Sequence, residues 1–102
     1  IFVGGSGATE YWDNPTAHKI AKDAYSAKKI VGAICIAPVT LAKAGLLKDK
    51  KATTYSSTVN NLKSAGARYS SADVEKDGNI ITASGPAVAQ KFGETILKAL
   101  GQ

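Results

Sequence analysis

The sequence holds few of the residues on which metal and disulfide chemistry depend. Its 102 residues include one cysteine, one histidine, one tryptophan and no methionine. A single cysteine cannot form an internal disulfide, which suits a reducing compartment, so we expect a cytoplasmic protein. The cysteine and the histidine are far apart in sequence and do not make a ligand set, so we expect no metal site.

Other absences exclude further classes of partner. No apolar run approaches the length of a membrane span, and we expect no membrane contact. The glycine-rich residues 4–7 lack the Lys-Ser/Thr of a phosphate loop, and no nucleotide fingerprint is present, so we expect no cofactor. The net charge of +5 comes from scattered lysines with a single arginine, Arg68. Nucleic-acid readers favour arginine and a basic face, so we expect no nucleic-acid partner.

Apolar periodicity predicts alternating helices and strands. Asn14-Pro15 is typical of a helix start, and the helix that follows has one apolar face, formed by Ala17, Ile20, Ala21, Ala24 and Tyr25. Residues 30–34 are apolar throughout, as in a central parallel strand. We expect further helices at 38–44, 58–65 and 86–100, a short strand at 51–55, and a hairpin whose strands, 68–74 and 79–83, flank Lys76-Asp77-Gly78. The alternation predicts a single α/β domain over residues 1–102, with a mostly parallel sheet and helices on both faces.

Cys35 lies where the strand at 30–34 runs into the next helix. At such a corner the turn is tight and the side chain projects out of the sheet, and the helix N-terminus favours negative charge on the sulfur. Thiolate is the reactive form of cysteine. Gly5 also follows a strand, and the carboxyl ends of parallel strands share one edge, so we expect both residues there. Taken alone, a cysteine after an apolar strand is more often a small buried hydrophobe.

Four segments, in this order and spacing, resemble the ThiJ/PfpI family, which includes Parkinson-associated deglycase-like and intracellular protease-like proteins. They are residues 1–7 (IFVGGSG), 33–38 (AICIAP), 41–55 and 74–86. The resemblance implies a flavodoxin-like fold of the class I glutamine amidotransferase type. It also implies a missing N-terminal segment with the first strands and an acidic residue that contacts the cysteine. The abrupt apolar start at Ile1 agrees with that expectation.

The resemblance also implies roles for individual residues. Cys35 would be catalytic, and the backbone N–H groups of Gly5 and Ile36 would bind an anion. Three further residues would line the pocket, namely Gly4, Tyr55 and Ser84. Ile36 stands where the protease-like branch has a histidine, and His18 is expected to face solvent without a catalytic role.

These observations favour a cofactor-independent stress protein that uses Cys35 on small reactive carbonyls. The reaction would be of the glyoxalase or deglycase type, with a small aldehyde as substrate and a homodimer as the assembly. Two alternatives stay open. One is a non-enzymatic redox sensor or chaperone-like homodimer, because a reactive thiol is also readily oxidised. The other is an intracellular cysteine peptidase, which the isoleucine at position 36 disfavours.

Overall fold

The computed structural model describes residues 1–2 and 6–101. In these residues helices and strands alternate along the chain, as the sequence predicts. The elements are α1 (Pro15–Ser26), β1 (Val31–Ile34), α2 (Pro38–Lys43), β2 (Lys51–Ala52), α3 (Val59–Ser64), β3 (Arg68–Tyr69), β4 (Val74–Asp77), β5 (Ile80–Ala83) and α4 (Ala89–Ala99), with short 3-10 segments at Ser6–Tyr11, Ser56–Thr58 and Pro86–Val88. None of the helices in the described ranges has the length and apolar character that crossing a membrane requires.

The sheet is mostly parallel, which confirms the predicted fold class. β1 pairs with β5 in parallel, in a register that sets Val31 opposite Ile80. Phe2 forms a parallel bridge to Ala33 on the other edge of β1, so β1 is central. β4 adds to the far side of β5 as an antiparallel edge strand, and β2 and β3 form a separate parallel pair.

Helices cover both faces of this sheet. One core cluster joins Val31 and Ala33 of β1 to buried residues of α1, α2 and α3. The other joins Ile34 to Phe92 and Ile96 of α4. Successive strand residues point to opposite faces, so β1 supplies both clusters in alternation. A strand buried on both sides must be apolar at every position, which is the pattern that predicted it.

The start of α1 follows the predicted capping pattern, but its apolar face is narrower. The Asn14 side chain accepts hydrogen bonds from the backbone N–H groups of Thr16 and Ala17, and Pro15 opens the helix. Ala17 is buried, whereas Ile20 is 60% exposed. The predicted apolar face is thus only partly packed: Ala17 and Ala21 are buried, and Ala24 and Tyr25 pack against the core, whereas Ile20 does not.

The hairpin forms at the predicted turn, but its first strand differs from the prediction. β4 is Val74–Asp77, and the loop begins at Gly78, whose φ of +61° suits glycine. Residues 68–69 instead pair in parallel with β2. The strand then ends because the Ser70 hydroxyl accepts a hydrogen bond from the Ala72 N–H, a local turn that competes with sheet pairing. The predicted strand over 68–74 is thus two separate strands.

Candidate active site

Cys35 is the corner residue between β1 and α2. It is half-buried, and its backbone has a φ of +66°, in the left-handed region. A non-glycine residue there has its Cβ close to the following carbonyl, at a cost of about 1–2 kcal/mol. The turn is closed by a hydrogen bond from the Ala37 N–H to the Ile34 carbonyl, 3.2 Å long. A strained corner of this kind turns the cysteine side chain out of the strand's alternation.

Hydrogen bonds hold the main chain of Cys35 on both sides. Its N–H donates to the carbonyl of Ala83 at the end of β5, at 3.0 Å. Its carbonyl accepts from the backbone N–H of Tyr55 at 2.8 Å and from the Thr54 hydroxyl at 2.9 Å. Strained backbone persists only where the surroundings over-determine it, and these three bonds supply that constraint.

The residues that follow β2 help to hold the Cys35 corner, and this explains why β2 is shorter than the predicted strand at 51–55. After Ala52 the chain turns towards the corner, and the Thr53 N–H donates to the Thr82 hydroxyl at 2.9 Å. The hydroxyls of Thr54 and Thr58 lie 2.8 Å apart, and the Thr58 hydroxyl also lies 3.0 Å from the Tyr55 carbonyl, to which it can donate. The result is a small buried threonine network beside the cysteine.

Ile36 presents an unpaired main-chain donor directly after the cysteine. Its N–H takes part in no hydrogen bond among the described residues, whereas its carbonyl accepts from the Trp12 indole N–H at 3.2 Å. Of the sequence-predicted anion-binding groups, Ile36 is therefore in a position to donate. Gly4 and Gly5, the other predicted members of this site, lie outside the described residues.

The predicted pocket residues Tyr55 and Ser84 lie together at the same edge of the sheet. A cavity of about 330 Å³ is lined by Tyr55, Ser56, Ser84, Gly85, Pro86 and Ala87. Tyr55 is 44% exposed, so part of its ring faces the opening. A Cβ built on Gly85 would lie 3.3 Å from the Tyr55 ring, so the glycine lets the ring lie close to the backbone. Tyr55 is the residue that connects this cavity to the corner, because its backbone N–H bonds to the Cys35 carbonyl, whereas Cys35 is not one of the six lining residues.

His18 was expected to face solvent, but in the structure it does not. It is half-buried, and its Nε2 lies 2.6 Å from the Trp12 carbonyl. Among the described residues it forms no hydrogen bond with Cys35. No cluster of three or more metal-ligating side chains occurs in the part of the chain that the structure describes.

Three carboxylates of the described residues make polar contacts with residues other than the cysteine. Asp13 is 3.7 Å from the Lys43 ammonium, Asp23 pairs with Lys19, and Asp77 accepts from the Lys51 N–H.

Sequence reasoning missed Thr54, Trp12 and Ala83 as partners of the corner. A threonine that directly precedes Tyr55, at the same strand end, could have been noticed as a hydrogen-bond donor. The roles of Trp12 and Ala83 had no comparable signal, because each acts on a main-chain atom far away in sequence.

Known proteins resemble the chain over nearly its full length. The model of the DJ-1/PfpI family matches residues 1–99. An uncharacterised protein of Methanocaldococcus jannaschii is 47% identical over 98% of the chain and 50% of its own length. A protein of Pyrococcus horikoshii named a deglycase is 32% identical over 98% of the chain and 60% of its own length. A glutathione-independent glyoxalase of Schizosaccharomyces pombe is 32% identical over 93% of the chain and 50% of its own length.

A solved structure shows the same fold. The ThiJ/PfpI domain protein of Brachyspira murdochii superposes with a TM-score of 0.94 at 30% identity, over 97% of this chain and 58% of its own. The chain thus spans between half and three fifths of the length of each of these four relatives.

Proposed function

The chain belongs to the DJ-1/PfpI family, and from that premise we propose that it acts on small reactive carbonyls through the thiolate of Cys35. The reaction is of the glyoxalase or deglycase type and uses no cofactor. Family members with those activities in their names support the proposal. The observation that carries it is the strained corner, in which a half-buried cysteine with a φ of +66° precedes an N–H that has no hydrogen-bond partner among the described residues.

The first step is addition of sulfur to the carbonyl carbon. The Cys35 Sγ supplies the electron pair of the new S–C bond, and the C=O π pair moves onto oxygen. The Ile36 N–H is the donor for that developing oxyanion, and protonation of the oxygen gives a hemithioacetal. The Cys35 N–H cannot serve, because it already donates to Ala83.

The Gly5 N–H is expected to be a second oxyanion donor, and an acidic residue is expected to carry the proton. Both expectations come from the family resemblance. Asp13, Asp23 and Asp77 make their polar contacts with residues other than Cys35, and the proposal gives them no part in this step. The proposal also includes a homodimer and a cytoplasmic location.

The test is turnover of methylglyoxal by the wild-type protein, Cys35→Ala and Cys35→Ser. Both variants should lose activity to the level of the buffer while remaining folded by circular dichroism. Ser26→Ala is the control, because Ser26 is exposed at the end of α1. Turnover that persists in Cys35→Ala would remove Cys35 from the mechanism.

The two alternatives give different results in the same experiment. A redox sensor would show no aldehyde turnover in the wild type but would add oxygen at Cys35 under dilute peroxide, detected by mass spectrometry. A peptidase would cleave a fluorogenic peptide in a Cys35-dependent manner. We expect no peptide cleavage, because no histidine bonds to Cys35 among the described residues.

A further inference from the structure

We propose that Thr54 is a positioning residue for Cys35, because its hydroxyl holds the Cys35 carbonyl and so keeps the corner in the left-handed conformation that exposes the thiol. The inference rests on the proposed function, since the positioned group is the proposed nucleophile. Thr54 is 1% exposed and therefore does not reach substrate from solvent. It acts through the cysteine backbone alone.

The alternation of β1 indicates where the thiol would go without this restraint. Val31 and Ala33 face the fully buried core beneath α1 and α2, and Ile34 faces α4. If residue 35 relaxed to an extended φ, it would continue the alternation and point to the same side as Val31 and Ala33. The thiol would then lie in the closed core. The left-handed φ prevents this, and the bonds to the Cys35 main chain stabilise that φ.

Geometry assigns the restraint to Thr54 and not to Thr58, because of the two hydroxyls only that of Thr54 lies within hydrogen-bond distance of the Cys35 carbonyl. A hydroxyl has one hydrogen and two acceptor positions. When the Thr54 hydrogen goes to the Cys35 carbonyl, the Thr54 oxygen can accept from Thr58. Thr58 can alternatively donate to the Tyr55 carbonyl. Replacing Thr54 by valine thus removes the bond to Cys35 and leaves Thr58 with a partner.

The neighbouring Thr53 is a matched control. It is fully buried like Thr54, but its hydroxyl has no hydrogen-bond partner among the described residues. Thr53→Val therefore removes a buried hydroxyl next to the site, with the same change of shape, without breaking a bond.

The experiment measures the rate at which iodoacetamide alkylates Cys35. It is run without denaturant, so that each variant is folded. Thr54→Val should lower the rate about fivefold, the factor that corresponds to one lost hydrogen bond. Thr54→Ser should restore it, and Thr53→Val should match the wild type. The value of kcat for methylglyoxal should fall in parallel with the alkylation rate, with little change in KM.

A purely structural Thr54 would lower the midpoint of urea unfolding without changing the alkylation rate of the folded protein, and that result would overturn the proposal. An equal loss of rate in Thr53→Val would do the same. If Thr54→Val does not fold, Thr54→Ala against Thr53→Ala repeats the comparison. Because alkylation needs no aldehyde, a wild-type protein without turnover would reject the proposed function and leave this test intact.

Discussion

Replacing Cys35 by glycine tests whether the backbone at position 35 is strained because the residue there has a side chain. Glycine adopts a φ of +66° without steric cost, whereas alanine at the same position keeps the cost and loses only the thiol. We expect Cys35→Gly to be more stable than Cys35→Ala, which reverses the usual order of these two residues inside secondary structure.

Two opposing contributions set the magnitude. Relief of the left-handed strain favours glycine by about 1–2 kcal/mol. The greater conformational entropy of glycine in the unfolded chain opposes this by about 0.5–1 kcal/mol. The difference between the midpoints of these ranges leaves Cys35→Gly more stable than Cys35→Ala by about 0.75 kcal/mol. Both variants lack the sulfur and should be inactive on methylglyoxal.

The assay is urea unfolding followed by circular dichroism, with the free energy of unfolding compared at equal slope. Ala37→Gly is the control two residues along, because Ala37 has an ordinary φ of −65° and is 1% exposed. That variant should lose about 1–2 kcal/mol from chain entropy and a lost buried methyl group. If Cys35→Ala is as stable as Cys35→Gly or more so, the corner is not strained and the argument from φ fails.

Three further substitutions test the capping, the core and the pocket. Asn14→Ala should lower the free energy of unfolding by about 1 kcal/mol, because two N–H groups at the start of α1 lose their acceptor. Gly32→Ala should cost about 1–3 kcal/mol, because the new Cβ would lie 3.1 Å from the Phe92 ring. Gly85→Ala should raise KM for methylglyoxal by moving the Tyr55 ring while changing stability by less than about 0.5 kcal/mol, since the φ of Gly85 is an extended 170°.

Gly93→Ala in α4 is the control for the two glycine substitutions. A Cβ there meets nothing within 4 Å, so the variant should gain about 0.5–1 kcal/mol from helix propensity. Equal effects at Gly32 and Gly93 would contradict the claim of close packing against α4. A large loss of stability in Gly85→Ala would make that glycine a structural residue and not a pocket residue.

The sequence predicts the fold where local chemistry decides the structure. The capping by Asn14 and the turn at Gly78 both depend on neighbours within a few residues, and both are confirmed. The strand at 68–74 was wrong because pairing with β2 and the Ser70 turn compete over the same stretch. The exposure of Ile20 could not be predicted from the sequence either. Periodicity shows which residues share a helix face, but it does not show how wide the packed part of that face is.

In the candidate site, too, the sequence predicts the local feature and does not predict the long-range contact. The corner at Cys35 follows from an apolar strand that meets a Pro-led helix, and the structure gives it a left-handed backbone. The hydrogen bond from the Thr54 hydroxyl to the Cys35 carbonyl could not be predicted, because it spans 19 residues and ends on a main-chain atom. No hydropathy pattern encodes such a bond.

The arrangement of the corner also bears on the isoleucine that stands where a histidine is found in the protease-like branch. Both polar main-chain atoms of Cys35 are used to hold the turn, so the next main-chain donor, the N–H of Ile36, is the first after the cysteine without a partner in the described part of the chain. That donor belongs to the backbone and does not depend on the side chain at position 36. The Ile36 N–H shares its peptide unit with the Cys35 carbonyl, which the Tyr55 N–H and the Thr54 hydroxyl hold, so that peptide is oriented without any contribution from the isoleucine side chain. A nonpolar residue at this position is therefore compatible with the proposed oxyanion binding, whereas an isoleucine side chain has no group that could act as the general base.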